Sequence, residues 1–170
     1  YLGPAIELTR TVDALSRNAP RRIEAVSFVR PQAIPQMADA DEVWARIERD
    51  PRIRYSALVP NLRGAVRALD AGCRELEVVV SASDTHNRAN VNRSTAESLD
   101  DISAVIATAH DRGAVCHVTV STAWGCPYEG DVPVERVLSV AKRTIADGAD
   151  GLSYGDTTGM ATPTRVTKLI

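Results

Sequence analysis

The sequence predicts an α/β fold, a (β/α)8 TIM barrel of which about five of the eight βα units are present, as a single partial domain over residues 1–170. Short runs rich in branched apolar residues alternate with amphipathic segments, which indicates parallel strands joined by helices. The segments after the strands are long and polar, whereas those after the helices are short, as in a TIM barrel. No G-x-G-x-x-G motif follows the first strand, which disfavours an open dinucleotide-binding sheet.

The first half of the chain shows the alternation clearly. Apolar residues at helical spacing over residues 4–16 predict a helix, and Pro4 is tolerated in its first turn. The elements predicted next are a strand at 21–29, a proline-containing loop at 31–36, a helix at 38–50 capped by Asp39 or Asp41 and ended by Pro51, a strand at 55–60, and a helix at 61–72 capped by Asn61 and stopped by Gly72.

The second half continues the same order. It predicts a strand at 73–83, a polar loop at 84–94, a helix at 95–113 that begins on a Thr-Ala-Glu-Ser cap, a strand at 114–121, a loop at 121–131, a helix at 133–148, a strand at 149–156 and a helix at 162–170. The strands are interpreted as apolar along their whole length, which predicts burial on both faces. Because the order begins and ends on a helix, we expect βα units two to six of the barrel, without the first strand and the last two units.

Composition narrows the possible partners. The net charge of -2 and the pI near 5.9 predict neither a nucleic-acid partner nor a membrane partner. The three cysteines form no CxxC pair, which favours a reducing compartment and predicts a cytoplasmic location. No apolar stretch approaches the length of a membrane span, and residues 1–10 lack the pattern of a signal peptide.

A family resemblance lies in five segments, in chain order and at near-constant spacing: VSFVRPQAIPQMADADEV, LVPNLRGAVRALDAG, SASDTHNRANVNRSTAESL, VSTAWGCPYEGDV and LSYGDTTGMATP. They resemble the 3-hydroxy-3-methylglutaryl-CoA lyase family, metal-dependent lyases with a pyruvate carboxyltransferase-like TIM barrel. The resemblance covers essentially the whole chain. It implies cleavage of 3-hydroxy-3-methylglutaryl-CoA to acetoacetate and acetyl-CoA, with an acyl-CoA substrate, Mg2+ or Mn2+ as the metal, and a homodimer as a possible assembly.

The resemblance also implies the site residues. The catalytic candidates are Glu24 in IEAVSFV and Asp156 in SYGDT, and the substrate-binding candidates are Ser27, Asn90, Ser153 and His117. Two alternatives stay open for the carboxylates. Glu24 interrupts an apolar strand, where an unpaired carboxylate is costly, so it serves either chemistry or a structural ion pair. Asp156 serves either chemistry or the capping of the loop that follows it.

Departures from the family pattern matter as much. The family's metal ligands are an aspartate in R-D-G-L-Q, the histidines of an H-x-H and a later asparagine; none is in this chain, so we expect the ligands in flanking sequence. The later G-G-C-P-Y motif with the catalytic cysteine is also absent. The 170-residue piece is therefore expected to be inactive by itself. A non-catalytic barrel remnant remains an alternative.

Substrate choice is open for a further reason. His117 stands where the family commonly has an arginine, and Thr122 stands where it has a cysteine. Loss of a fixed positive charge at position 117 leaves room for a related Claisen-type lyase or condensing enzyme that acts on a different acid. His117 is equally consistent with a core histidine.

The GCPYEG loop and its surroundings carry three smaller expectations. Cys126 is expected to be a buried, inert thiol, and Tyr128 and Glu129 are expected to brace the loop. Arg88 and Arg93 flank Asn90 and are expected either to meet the phosphates of CoA or to be solvated.

Overall fold

The computed structural model describes residues 4–32 and 34–170. The predicted loop at 31–36 contains Ala33, and the segment 1–10 contains residues 1–3; these residues lie outside the described part. The helices are α1 Pro4–Ser16, α2 Ala40–Arg46, α3 Leu62–Asp70, α4 Asp84–Val91, α5 Thr95–Asp111, α6 Val134–Ala146 and α7 Pro163–Leu169. The strands are β1 Arg22–Ser27, β2 Arg54–Leu58, β3 Glu75–Ser81, β4 Val115–Ser121, β5 Gly125–Cys126, β6 Gly130–Asp131 and β7 Gly151–Tyr154. A short 3-10 turn covers Pro35–Met37.

Five strands form one sheet in the order β1-β2-β3-β4-β7, and each is followed by at least one helix. In this sheet β1 pairs with β2, β2 with β3 and β4 with β7 in parallel, with Arg22 opposite Arg54, Leu58 opposite Glu77, and His117 opposite Gly151. The short strands β5 and β6 form a separate antiparallel pair. This arrangement confirms the predicted α/β class. In parallel βα units the catalytic and binding residues lie at the carboxyl ends of the strands and in the loops after them, so the functional residues are expected there.

The chain divides into two compact units. The first unit, Tyr1–Glu77 with Thr108–Val115, buries an apolar core that includes Phe28, Val43, Trp44, Ala57, Val59 and Leu76. The second unit, Val78–Ala107 with Cys116–Ile170, buries Val80, Ile102, Val105, Ile106, Val118 and Val137. In both cores branched aliphatic side chains dominate, as expected where helices cover a parallel sheet.

The strands of the first unit differ from the prediction on one face. Arg22 and Glu24 of β1, Arg54 of β2, and Glu75 and Glu77 of β3 alternate with apolar neighbours and are polar where an apolar strand was expected. The residues between them are buried, so the period of two is that of a sheet with one apolar and one polar face. We call the side bearing these five residues the polar face of β1–β3.

The predicted polar loop at 84–94 is the largest error, because residues 84–91 form α4. Local hydrogen bonds rather than an apolar face stabilise this helix. Ser83 accepts the N–H of His86 as the N-cap, and Asn92 ends the helix in the left-handed conformation, with φ of 56°. Hydrophobic periodicity cannot detect a helix of this kind.

Two helices, α2 and α5, also differ from the prediction at their ends. α2 ends at Arg46, well before Pro51, and Asp39 occupies its N-cap position without a side-chain cap hydrogen bond. α5 is capped one residue earlier than expected, since Ser94 and Glu97 exchange hydrogen bonds of 2.7 and 3.1 Å in a capping box. The Asn61 cap of α3 is confirmed, because its side chain accepts the N–H of Gly64 at 3.0 Å. Among the described residues, no helix has both the length and the apolar character that a bilayer crossing requires.

Candidate active site

Glu24 and Ser27 lie on β1, which places both in the first unit. Glu24 belongs to the polar face and forms no ion pair with any described residue, while Ser27 is the last residue of the strand and is half-buried. Glu24 is an exposed residue, yet the surrounding protein atoms still desolvate its carboxyl and raise the pKa of that group, against an opposing effect of the Arg22 guanidinium. A carboxylate with a raised pKa is a stronger base than an ordinary surface glutamate.

A charged cluster beside Glu24 was missed at the sequence level. Arg22 donates to Glu75 from Nε at 2.8 Å, and its Nη1 lies 2.9 Å from Glu77 Oε1. Burial raises the pKa of Glu77, and the positive charge of Arg22 lowers it. The signal was present as two carboxylates two residues apart in a strand, which places them on one face. This cluster supplies the charged surroundings of Glu24.

His117 and Ser153 lie on adjacent strands of the second unit. His117 of β4 is opposite Gly151 of β7, and Thr119 is opposite Ser153. A Cβ added at Gly151 would overlap the His117 imidazole, so the absence of a side chain at 151 makes room for the histidine. His117 is half-buried and Ser153 is exposed, which leaves the serine hydroxyl accessible.

Asp156 follows β7 by two residues. Its carboxylate accepts the N–H of Met160 at 2.9 Å and the N–H of Ala161 at 3.1 Å, and so shapes the loop that leads to α7. This supports the capping alternative as a structural role. A carboxylate oxygen has two lone pairs, so these hydrogen bonds leave acceptor capacity on the residue, and its part in catalysis stays a prediction.

Asn90 lies on the exposed side of α4, whereas Asn87 of the same helix is buried. Asn87 accepts the N–H of Ser81 at 3.0 Å and donates to Ser98 Oγ at 2.7 Å, and it also donates to the carbonyls of Arg93 and Ser94. The resemblance singled out Asn90 but not Asn87. Asn87 holds α4 in place, and Asn90 is thereby presented to solvent.

The GCPYEG loop is held by hydrogen bonds around Ser83. Its hydroxyl donates to Glu129 at 2.6 Å and lies 3.0 Å from the Cys126 sulfur, and Thr85 N–H also donates to Glu129. The Ser83 hydroxyl, followed by the Thr85 and Arg136 donors, lowers the pKa of Glu129 to about 2. Cys126 is 1% exposed, as expected for a structural thiol. Tyr128 is 61% exposed, and its ring centroid lies 6.3 Å from that of His86 on α4, so its role in bracing the loop stays a prediction.

The predicted site residues therefore fall into two groups. The first unit brings together Glu24 and Ser27 on one strand. The second unit brings His117 and Ser153 onto neighbouring strands, with Asp156 just beyond β7 and Asn90 on α4. Ser27 is the last residue of β1, and Asn90 and Asp156 follow β3 and β7. Within strands lie Glu24, His117 and Ser153.

Parallel βα units with polar side chains at the carboxyl ends of the strands define an enzyme domain of the TIM-barrel class. Comparison with known proteins gives the family. The HMGL-like family model matches residues 6–170, and the chain belongs to that family.

Two curated relatives of the chain are both named as lyases of CoA thioesters. The chain is 43% identical over 155 residues to the hydroxymethylglutaryl-CoA lyase of Bacillus subtilis, covering 91% of the chain and 52% of the relative. It is 41% identical over 178 residues to the (R)-citramalyl-CoA lyase of Chloroflexus aurantiacus, covering 99% of the chain and 56% of the relative. The chain spans about half the length of the curated relatives it matches.

Solved structures agree on the fold. The Bacillus subtilis HMG-CoA lyase superposes with a TM-score of 0.94 at 41% identity, covering 97% of this chain and 55% of that one. An HMG-CoA lyase from Acinetobacter baumannii, solved with coenzyme A and 3-methylmalate, superposes with a TM-score of 0.92 at 37% identity, covering 97% and 54%. The predicted partial TIM barrel is confirmed.

The family depends on a divalent metal. Within the first unit, Glu75 and Glu77 are paired with Arg22, while the Glu24 carboxylate has no ion-pair partner among the described residues. Glu24 thus offers a hard oxygen of the kind that Mg2+ and Mn2+ prefer. The residues present fit a position beside such a metal.

Proposed function

We propose that the full-length protein is a hydroxymethylglutaryl-CoA lyase that cleaves 3-hydroxy-3-methylglutaryl-CoA to acetoacetate and acetyl-CoA. The observation that carries the proposal is the 43% identity to the Bacillus subtilis enzyme over 91% of the chain. The position of Glu24 on the polar face of β1–β3 supports the mechanism, because the reaction needs a base close to a tertiary hydroxyl.

Proton transfer is assigned to Glu24. Its carboxylate takes the proton of the substrate's tertiary hydroxyl, the C–C bond breaks, and the electron pair passes to the thioester as an enolate. The hydroxyl carbon becomes the ketone of acetoacetate, and protonation of the enolate gives acetyl-CoA. Because the pKa of Glu24 is raised, the proton is held more firmly at the moment of transfer. Glu24 would lie beside a bound divalent metal, Mg2+ or Mn2+, which would supply Lewis-acid polarisation of the substrate oxygens.

The remaining site residues bind and orient. Ser27 and Ser153 supply hydroxyl donors for the oxygens of the acyl group, and Asn90 supplies an amide on the exposed side of α4 for the acyl-CoA. His117 contacts the acyl part of the substrate from β4. Asp156 is the second catalytic candidate, and it also holds its own loop in shape through two backbone N–H groups.

Glu24→Gln tests the assignment in the full-length protein supplied with Mg2+. The neutral amide cannot accept the hydroxyl proton, so acetoacetate release is expected to fall at least about 100-fold in kcat with KM little changed. Glu7→Gln, an exposed glutamate of α1, is the matched control and is expected to retain full rate. A wild-type protein that releases no acetoacetate would refute the proposed function, and an active Glu24→Gln variant would refute the role of Glu24.

A second candidate function is favoured by the 41% identity to the (R)-citramalyl-CoA lyase, which extends over 99% of the chain. In that case the substrate is a different 3-hydroxyacyl thioester, and His117 is a residue that selects it. The cleavage rates of 3-hydroxy-3-methylglutaryl-CoA and citramalyl-CoA distinguish the two candidate functions. Faster cleavage of citramalyl-CoA, together with a shift towards 3-hydroxy-3-methylglutaryl-CoA in His117→Arg, would establish the second candidate over the first.

Assembly and location complete the proposal. We expect a homodimer, which size-exclusion chromatography with light scattering tests on the full-length protein. We also expect a cytoplasmic location, supported by the relatives from zebrafish and rat that are named cytoplasmic, although the relatives also include mitochondrial enzymes. Cell fractionation of the source organism tests it.

A further inference from the structure

A cavity of about 480 Å³ opens at the carboxyl ends of β1 and β2. It lies in the first unit, between the loop after β1 and the beginning of α3. Three arginines line it, Arg30, Arg63 and Arg67, together with Phe28, Asn61 and Gly64, and no acidic residue does. The loop after β1 and the first turn of α3 are close, since Gly64 would bring a Cβ to 2.7 Å from the Phe28 carbonyl oxygen.

Two of these three positive charges are not neutralised. Arg67 donates from Nε to Asp41 at 2.8 Å, and its guanidinium lies 5.3 Å from the Phe28 ring centroid. Arg30 and Arg63 are exposed, and within residues 4–32 and 34–170 neither forms an ion pair or a side-chain hydrogen bond. A cavity with two free guanidinium groups and no carboxylate favours an anion, and guanidinium pairs best with phosphate or carboxylate.

Arginines after other strands have a different environment. Arg88 lies 2.8 Å from Asp84, and Arg93 pairs with Asp101. Both flank Asn90, and each is already neutralised within α4 or by α5. The alternative expectation that they meet phosphates therefore has less support than a phosphate site at Arg30 and Arg63.

The structure of a CoA thioester indicates which anion this cavity binds. A CoA thioester carries its phosphates at the far end of the pantetheine arm. If the reacting carbon of the substrate lies beside Glu24, the phosphates lie away from the polar face, towards the loops at the carboxyl ends of the strands. Ser27, a proposed substrate-binding residue, directly precedes Phe28 of the cavity. We propose that Arg30 and Arg63 bind a phosphate group of the CoA portion of the substrate. This inference rests on the proposed acyl-CoA substrate.

Calorimetric titration of the full-length protein tests the site without turnover. The ligands are CoA, dephospho-CoA and inorganic phosphate, and the variants are Arg30→Gln and Arg63→Gln. Each variant is expected to raise the Kd for CoA about tenfold, since it removes one charge-assisted contact. Arg10→Gln, an exposed arginine of α1, is the matched control and is expected to leave the Kd unchanged. Unchanged urea midpoints show that the variants are folded.

The ligands identify which phosphate is held. If the variants weaken CoA but not dephospho-CoA, the 3′-phosphate occupies the cavity; if they weaken both equally, the diphosphate does, and either result supports the proposal. Unchanged CoA affinity in both variants overturns it. A loss for inorganic phosphate alone also overturns it, because the cavity then holds free phosphate. Weakened CoA binding in a protein that cleaves no 3-hydroxy-3-methylglutaryl-CoA would refute the lyase proposal and leave this inference standing.

Discussion

The loop after β1 and the loops after β3 and β4 occupy equivalent positions in their βα units but are built differently. In the loop after β1, residues 28–39, no described side chain forms a hydrogen bond, and Asp39 Oδ1 is buried without a partner. The segments after β3 and β4, residues 82–94 (which include α4) and 122–131, are joined where Ser83 and Thr85 donate to Glu129. Asn87 holds the first of these segments through its own hydrogen bonds. We call the first the open loop and the second pair the braced loops.

This difference indicates which polar side chains are available to bind ligands. In the braced loops the thiol of Cys126 and the carboxylate of Glu129 already have protein partners, so the most conspicuous chemical groups there serve structure. In the open loop Arg30 has none among the described residues. We expect substitutions in the braced loops to change stability, and substitutions in the open loop to change binding.

Asn87→Ala should give the largest effect. The change removes the partners of the buried Ser81 N–H and of the Arg93 carbonyl, while the Ser94 carbonyl still accepts the N–H of Ser98. The free energy of unfolding of the full-length protein is therefore expected to fall by about 3 kcal/mol. Asn90→Ala on the exposed side of the same helix is the matched control, with an expected change within about 0.5 kcal/mol. Urea titration measures both. Equal effects of the two variants would remove the basis for distinguishing braced from open loops.

Gly151→Ala tests packing at the base of the second unit. The new methyl group overlaps the His117 imidazole, and the resulting shift is expected to cost about 1–3 kcal/mol of unfolding free energy. Adding His117→Ala should recover most of that loss, because the overlapping ring is gone. A double variant as unstable as Gly151→Ala would show that the strain lies in the backbone instead.

The stabilisation that Glu129 contributes to the braced loops is expected to depend on pH. The pKa of Glu129 is lowered from 4.5 to about 2, so its stabilisation is fully present above pH 4.5 and is lost as the pH falls towards 2. The residue is partly exposed, and solvent reduces the effect to about 1 kcal/mol at neutral pH. The difference in urea midpoint between wild type and Glu129→Gln should therefore shrink between pH 4.5 and 2. Glu135→Gln at an exposed glutamate of α6 is the matched control for the loss of a surface charge.

Arg30→Gln should give the smallest change in stability, within about 0.5 kcal/mol, because the side chain has no partner among the described residues. Arg67→Gln is the contrasting variant. It removes the ion pair with Asp41 and the contact with the Phe28 ring, and should cost about 1 kcal/mol. Thermal unfolding compares them. A larger loss for Arg30→Gln than for Arg67→Gln would contradict the description of the open loop.

The sequence predicted those elements whose stability comes from apolar burial. β3 and β4 were found because their branched side chains fill the cores, and α3 because Asn61 and Gly72 mark its ends. α4 was missed because Ser83, Asn87 and Asn92 stabilise it through hydrogen bonds, which leave no periodic pattern. Nothing in a one-dimensional pattern shows that Asn87 is buried and Asn90 is exposed.

The candidate site was predictable as residue identities and not as environments. Family resemblance pointed to Glu24 and Asp156. It did not show that Arg22 joins Glu75 and Glu77 beside Glu24, since these residues are far apart in the chain and their pairing depends on strand register. It also did not show that Asp156 accepts two backbone N–H groups, because that contact depends on the path of the following loop.

The hydroxyl of Ser83 has one hydrogen, and the short 2.6 Å contact assigns it to Glu129. The remaining contact, with Cys126, is then made by the thiol hydrogen pointing to the serine oxygen, and the N–H of His86 takes the other lone pair. Ser83, Cys126 and Glu129 thus depend on one another for hydrogen-bond donors and acceptors. In a directed-evolution library they should be randomised jointly, since a change at one of them restores a complete set of partners only when another changes with it.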